Sequence, residues 1–373
     1  MPDTKETVLG IPSDQLEKIS LKANIGFYSF EKAVRQRYMI IDKSIFIKRF
    51  LEVRQSCLVF LRPRRFGKSL NLSMLKYFLD QQVNDQATKF QNFAIMKEHE
   101  IVEMHMGKYP VVFLSLKDCK ANTWDEMRTD IWFALVHMCD PHIKSGKVQW
   151  ADLINPNCLG ISPTVPPTSA SDTEMAYLFQ FLIRQLRMVY DKKVIVIVDE
   201  YDCPMNVAMR QEEDMERRNK FFEKFYSSAL KDNNAVKKAC LAGIYHIRGA
   251  NILSAISNSR VNTIRDSSNF GDCFGFTERE VKCFLKDAFN ASEENVNNLW
   301  EKEGGIKEWY NGYCIGGNML FMSNRSLSGA TRGHTLCCRF GSSPIISLRL
   351  WTQSSAMLSF SGQDPSTKSL SRA

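Results

Sequence analysis

Zinc-ligand spacing is absent from this 373-residue chain: its eleven cysteines include no CxxC pair, and its six histidines form no HExxH. A zinc module is therefore excluded. The cysteines are odd in number and spread from Cys57 to Cys338, with Cys57 and Cys240 inside apolar runs. That pattern speaks for free thiols in a reducing compartment and against a secreted disulfide framework. No apolar run approaches the ~20 residues of a membrane span, and the polar start MPDTKETVLG has no signal-peptide core. These absences predict a soluble, intracellular protein, without choosing between cytoplasm and nucleus. Hydrophobic and charged contents of 44% and 24% are those of a globular chain. A net charge of +8 suits a phosphate-bearing ligand and permits nucleic-acid contact. The cations are scattered, so charge alone names neither a nucleic-acid nor a protein partner, nor an oligomeric state.

What is present is concentrated in CLVFLRPRRFGKSLNLSMLKYFLD, residues 57–80. Cys57 to Leu61 reads as a buried strand, Arg62 to Phe66 as a basic turn, and the residues from Leu70 recur at helical spacing. Strand, turn ending in Gly67-Lys68-Ser69, helix is the context of a phosphate-binding loop. Gly67 would let the backbone approach a phosphate, with the following amides pointing at the anion from a helix N-terminus. Lys68 would reach the β/γ-phosphates and Ser69 would ligate Mg²⁺. Two features depart from the longer pattern. Arg62 stands where its first glycine belongs, and Pro63 removes a backbone donor.

The second stretch is KKVIVIVDEYDCP, residues 192–204. Val194 to Val198 is β-branched throughout and suits a strand buried on both faces. It ends in Asp199-Glu200, at the edge of an α/β sheet where ligands bind. Asp199 would hold the Mg²⁺ shell, and Glu200 would orient or deprotonate the attacking water. Ala239 to Ile244 reads as a further strand. Beyond it, Arg248 is a candidate phosphate contact, with Arg260 and Arg265 weaker ones; a surface salt bridge explains each equally well.

The expected layout is a leader over 1–24, an α/β domain over 25–273 and a partial helical lid over 274–320. A Ser-rich, disordered tail is expected over 321–373. Within the domain, helices are expected over 44–54, 124–139, 174–190 and 211–232, with strands at 109–116 and 194–198. Four prolines after Pro141 and the lack of a period make 141–173 a flexible insertion. Ser171 to Glu174 supplies a capping box, as does Thr277 to Glu280 ahead of the first lid helix.

Several motifs together resemble the AAA-ATPase-like family of P-loop proteins. They are Arg62-Pro63-Arg64-Arg65-Phe66-Gly67-Lys68-Ser69-Leu70, Val198-Asp199-Glu200-Tyr201-Asp202-Cys203-Pro204, Phe274-Gly275-Phe276-Thr277-Glu278 and Trp309-Tyr310-Asn311-Gly312-Tyr313. Asp42-Lys43-Ser44 resembles that family's N-terminal Asp-Lys-Thr. The resemblance implies a P-loop NTPase fold with a mostly parallel sheet flanked by helices and a small helical lid. It implies ATP and Mg²⁺ as ligands. Arg64, Arg65, Phe66, Gly67, Lys68, Ser69 and Leu70 would form the nucleotide loop, and Arg62 in place of glycine is that family's own form of it. Ala242 stands where threonine would be typical, and His246 where a basic residue is usual; both bear on hydrolysis more than on binding. Members are often fused to a PD-(D/E)xK nuclease, but past Arg325 this chain has a single acidic residue, Asp364, too few for a nuclease metal site. The tail reads as a C-terminus replaced near residue 321 by a frameshift or altered splice. Three readings of function stay open: a Mg-dependent ATPase, a nucleotide-gated binding module, and a degenerate remnant with little or no hydrolysis.

Overall fold

The computed structural model describes residues 29–38, 40–153, 170–208, 215–245, 256, 258–264, 269–289 and 292–301, and short stretches at 307, 313–315, 318–321, 336–338 and 346–348. The leader over 1–24, residues 154–169 of the expected insertion and most of the tail lie outside them.

Five strands form one all-parallel sheet: β1 (Cys57–Leu61), β2 (Val111–Ser115), β3 (Val194–Asp199), β4 (Val236–Gly243) and β5 (Ser259–Asn262), in the order β2-β3-β4-β1-β5. The fold is α/β, the class the sequence pattern required, and is consistent with a P-loop NTPase. Every residue of β1 and β3 is buried, as expected of strands covered on both faces. Alternation decides which side chain meets which layer. Val59, Val112, Val196 and Leu241 face the helices Trp124–Lys144, Asp172–Tyr190 and Met215–Leu230. Leu58, Phe60, Ile197 and Cys240 face the helices Phe30–Arg35, Ile45–Glu52 and Lys68–Leu79. At roughly 1.5–3 kcal/mol per fully buried aliphatic side chain, this double layer is the main source of stability.

The Trp124–Lys144 helix runs through Pro141, past the point where the sequence pattern stopped it. Tertiary contacts override the proline. His142, one residue further on, is buried, its Nδ1 lying 2.8 Å from Gln82 Nε2 and 3.1 Å from the Tyr190 hydroxyl. The Asp172–Tyr190 helix starts at its capping box: Glu174 N donates to Ser171 Oγ, and Ser171 N donates to Glu174 Oε2.

His142 also makes the fold acid-sensitive. Burial, with Lys76 nearby, pushes its pKa down to about 4 from 6.5. Between those values the unfolded chain binds the extra proton and the native chain does not, so stability is full above pH 6.5 and falls as pH drops toward 4. About 3 kcal/mol is at stake at roughly 1.4 kcal/mol per pKa unit. Urea midpoints measured between pH 7 and 5, above the range where ordinary carboxylates titrate, should fall for the native chain. His142→Gln should flatten that slope; an unchanged slope would rule His142 out as its source.

Beyond the sheet, segment 269–280 is bound tightly to the core. Phe270 and Phe274 are fully buried and pack on Phe46 and Phe60 with ring centroids 5.0–6.2 Å apart. The helix Glu278–Phe289 follows, then Glu293–Glu301. Phe276–Thr277 pairs antiparallel with Asn318–Phe321, which pairs with Tyr313–Ile315. In the tail, Leu336–Cys338 pairs antiparallel with Ile346–Leu348.

Candidate nucleotide site

The carboxyl ends of β1, β4 and β3 lie side by side. Leu61 is in register with Gly243, and Ala242 with Asp199. Because β4 lies between them, the tips of β1 and β3 are two strand spacings apart, about 10 Å. The chain leaves β1 through the basic turn, and Gly67 (φ 72°, ψ 18°) brings it into the Lys68–Leu79 helix. That left-handed backbone favours glycine, since a side chain here would meet no neighbour within 4 Å yet would still be strained.

Lys68 is 7% exposed, and its Nζ donates to the carbonyls of Arg62 (3.0 Å) and Pro63 (2.9 Å), closing the loop into a ring. Burial pushes its pKa down; Asp199, Glu200 and Asp202 oppose that shift, and Arg64 adds to it. Lys68 therefore sits in a field of three carboxylates. One helical position on, Ser69 lies near enough to the Asp199 carboxylate to favour its charged form. Asp199 is 5% exposed; burial pushes its pKa up, the nearby Ser69 side chain pulls it down, and Glu200 raises it while Lys68 lowers it. Glu200 N donates to Asp199 Oδ1 at 3.1 Å. Glu200 itself has φ 53°, a left-handed backbone that is uncommon for a non-glycine residue and that clusters at functional sites.

The glycine missing from the loop is explained by the side chain that replaces it. Arg62 is fully buried, pointing away from the loop toward β5. Its guanidinium donates to the carbonyls of Leu61 (3.0 Å), Asn262 (2.7 Å) and Phe270 (3.4 Å) and lies 5.5 Å from the Phe274 ring centre. The position supports the loop from behind.

The structure brings Lys68, Ser69, Asp199 and Glu200 together. Arg64 is exposed, and Arg65 is half-buried with φ 67°. The Phe66 ring is buried in the core, while its carbonyl accepts from Gly275 N at 3.0 Å. Leu70 packs on the same core. Arg260 is paired with Leu58, well below the strand tips. Arg248, Arg265 and His246 lie outside the described residues. Asp42-Lys43-Ser44 is a junction: Lys43 Nζ donates to both Glu280 carboxylate oxygens and to the Asp272 carbonyl, each at 2.7 Å. Asp42 meanwhile accepts from Ser44 N and Ala94 N.

Sequence reasoning gave no role to Tyr201, Asp202 and Gly243, which join the tips of β3 and β4. The available signal was a second aspartate three positions after Asp199, in a turn apolar enough to bury it.

A five-stranded parallel sheet carrying a Gly-Lys-Ser turn on one strand, and an acidic strand end two strands away, defines an α/β protein of the P-loop type. The family described as "Predicted AAA-ATPase" matches residues 24–253, more than half of the chain, and the chain belongs to that AAA-ATPase-like family. It is also similar to the "Uncharacterized protein in vnfD 5'region" of Azotobacter chroococcum mcd 1, 29% identical over 308 residues. That match covers 80% of this chain and 50% of the relative, so the chain spans about half the length of the protein it matches. Among the described residues no helix is long and apolar enough to cross a membrane.

Proposed function

We propose that the chain binds Mg-ATP at its phosphate loop and hydrolyses it. One observation carries the reading: with β4 in register between β1 and β3, Lys68 and Ser69 lie close enough to Asp199, 130 residues from Ser69 in sequence, for both to act on its carboxylate. The donor set suits magnesium, which takes hard oxygen ligands, keeps several waters and needs one or two carboxylates. Ser69 and Asp199 would hold it. When bound, magnesium neutralises charge on the β- and γ-phosphate oxygens.

The chain's own residues account for the rest. The amides at the start of the Lys68–Leu79 helix face an anion at the positive end of the helix dipole. Lys68, fixed over the loop by two carbonyls, presents its remaining N–H toward the β/γ-phosphates. Arg64 is exposed on the same turn and adds a second cation. Glu200, beside Asp199 and facing the same edge, orients the attacking water and takes its proton.

A nucleotide-gated binding module is the second reading, favoured by two observations. Ala242 brings no polar side chain to the tip of β4. In addition, the bond from Gly275 N to Phe66 O ties the phosphate loop to segment 269–280, so loop movement would reach the following helix.

Thermal unfolding with and without Mg-ATP tests the site. At a hundredfold excess over the dissociation constant, Mg-ATP should add about 2.7 kcal/mol. That corresponds to a rise of roughly 5–10 °C for a domain of this size. Lys68→Ala should lose the rise. An equal rise in both proteins would reject the site, and GTP in the same assay reads base preference.

A further inference from the structure

The acidic turn after β3 is held by more bonds than a solvated strand end requires. Asp202 is 1% exposed, and its Oδ2 accepts from three donors: Ile244 N (3.0 Å), Tyr245 N (2.8 Å) and Asn206 Nδ2 (3.1 Å). Two of these are backbone amides just past the tip of β4. Tyr201 reaches the same segment from the other side, its hydroxyl donating to the Tyr245 carbonyl at 2.7 Å and its N to the Ala242 carbonyl at 3.1 Å. Tyr201 is anchored in turn, its carbonyl accepting from the buried Tyr226 hydroxyl at 2.9 Å. Gly243 lies inside this clamp. A β-carbon on it would come within 2.5 Å of both Asp202 Oδ1 and the Tyr201 ring.

The residue enclosed by these bonds is Glu200. Its amide is held by Asp199 Oδ1, its carbonyl accepts from Cys203 N at 3.0 Å, and the next two residues are locked to β4. A non-glycine residue keeps a left-handed backbone only where its surroundings over-determine it, and Tyr201 and Asp202 supply that determination. We propose that Asp202 is a positioning residue: it fixes the tip of β4 against the acidic turn and so holds Glu200 in the orientation that water activation requires. This rests on the Mg-ATP reading above and deepens it. Asp202 has its Oδ2 taken up by the amides past the β4 tip and by Asn206, and in this role it acts through Glu200.

A displacement near 1 Å at a reacting group costs on the order of a hundredfold in rate, which sets the scale of the test. Phosphate release and the Mg-ATP thermal rise would be measured on the full chain and on Asp202→Asn, Asp202→Ala and Gly243→Ala. The amide oxygen of Asn can still accept from Ile244 N and Tyr245 N, so Asp202→Asn should keep release within severalfold of the native chain. Asp202→Ala should lose roughly 10–100-fold in turnover number with an unchanged Mg-ATP dissociation constant. Gly243→Ala, which forces the clamp apart sterically, should do the same. Hydrogen exchange at the amides of 244 and 245 should rise in the alanine variants and stay slow in Asp202→Asn.

Undiminished release in Asp202→Ala, or loss of binding in proportion to release, would overturn the assignment alone. So would unchanged exchange at 244 and 245. Absence of release from the native chain would instead overturn the hydrolytic reading and this role with it. Absence of any Mg-ATP rise would reject the site altogether.

Discussion

Substituting Glu200 by glutamine is expected to slow phosphate release by about 10²–10⁴-fold, the usual contribution of a positioned general base, while Mg-ATP still raises the melting temperature. The split follows from what each group can reach. On the proposed reading phosphate affinity would come from Lys68, the helix-start amides, Ser69 and Asp199, with no direct contact from the Glu200 carboxylate. Glutamine matches glutamate in length and still takes a left-handed backbone at the same modest cost, so it removes only the proton acceptor. Single-turnover release under saturating Mg-ATP is the measurement, with Lys68→Ala as the control that loses binding. If release persists in Glu200→Gln, Glu200 is not the base. If the native chain binds and releases nothing, the nucleotide-gated reading stands, and the link from Phe66 to Gly275 becomes the feature to pursue.

The fold was readable because its signals are local. An unbroken β-branched run such as Val194 to Val198 can only be a strand covered on both faces, and a strand that turns through Gly-Lys-Ser into a helix leaves little choice of layer. The helix boundary near Pro141 was not readable. Proline's local preference predicted a stop there, whereas the burial of His142 against Gln82 and Tyr190, which come from distant parts of the chain, carried the helix on to Lys144.

The site divides in the same way. Lys68 and Ser69 stand in a motif with its own turn chemistry, and Asp199-Glu200 ends a strand, so each half was visible alone. That the halves meet was an inference from sheet logic, and the register of β4 between β1 and β3, with Lys68 and Ser69 acting on the Asp199 carboxylate, expresses it. The supports were hidden. Asp202 looks in sequence like one more acid in a solvated turn, and Gly243 like a small residue at a strand end. Only the register of β4 between β1 and β3 places Gly243 under the Tyr201 ring and puts the Ile244 and Tyr245 amides on Asp202. Lys43 likewise gives no sequence sign that it will bind Glu280, 237 residues later.

Arg62 is where reading the longer loop pattern literally would mislead most. A pattern-restoring change, Arg62→Gly, is expected to destabilise the chain rather than repair it. Three backbone carbonyls, of Leu61, Asn262 and Phe270, lose a buried charged donor, and a side-chain-sized void opens beside the Phe274 ring. Bonds to a charged donor contribute about 1.5–3 kcal/mol each at most and are not additive, and a core void of this kind adds further cost. Arg62→Ala should therefore lose about 3–5 kcal/mol, with Arg62→Gly slightly worse because glycine also frees the unfolded backbone. Lysine keeps the charge but replaces a planar fork with a point donor, so Arg62→Lys should fall between alanine and the native chain. Urea midpoints at constant m-value would rank the four proteins. The same series should weaken the Mg-ATP rise in parallel, because the Arg62 carbonyl is one of the two that hold Lys68 over the loop. Native stability in Arg62→Gly would mean that the guanidinium does not support the loop, and the missing glycine would need another explanation.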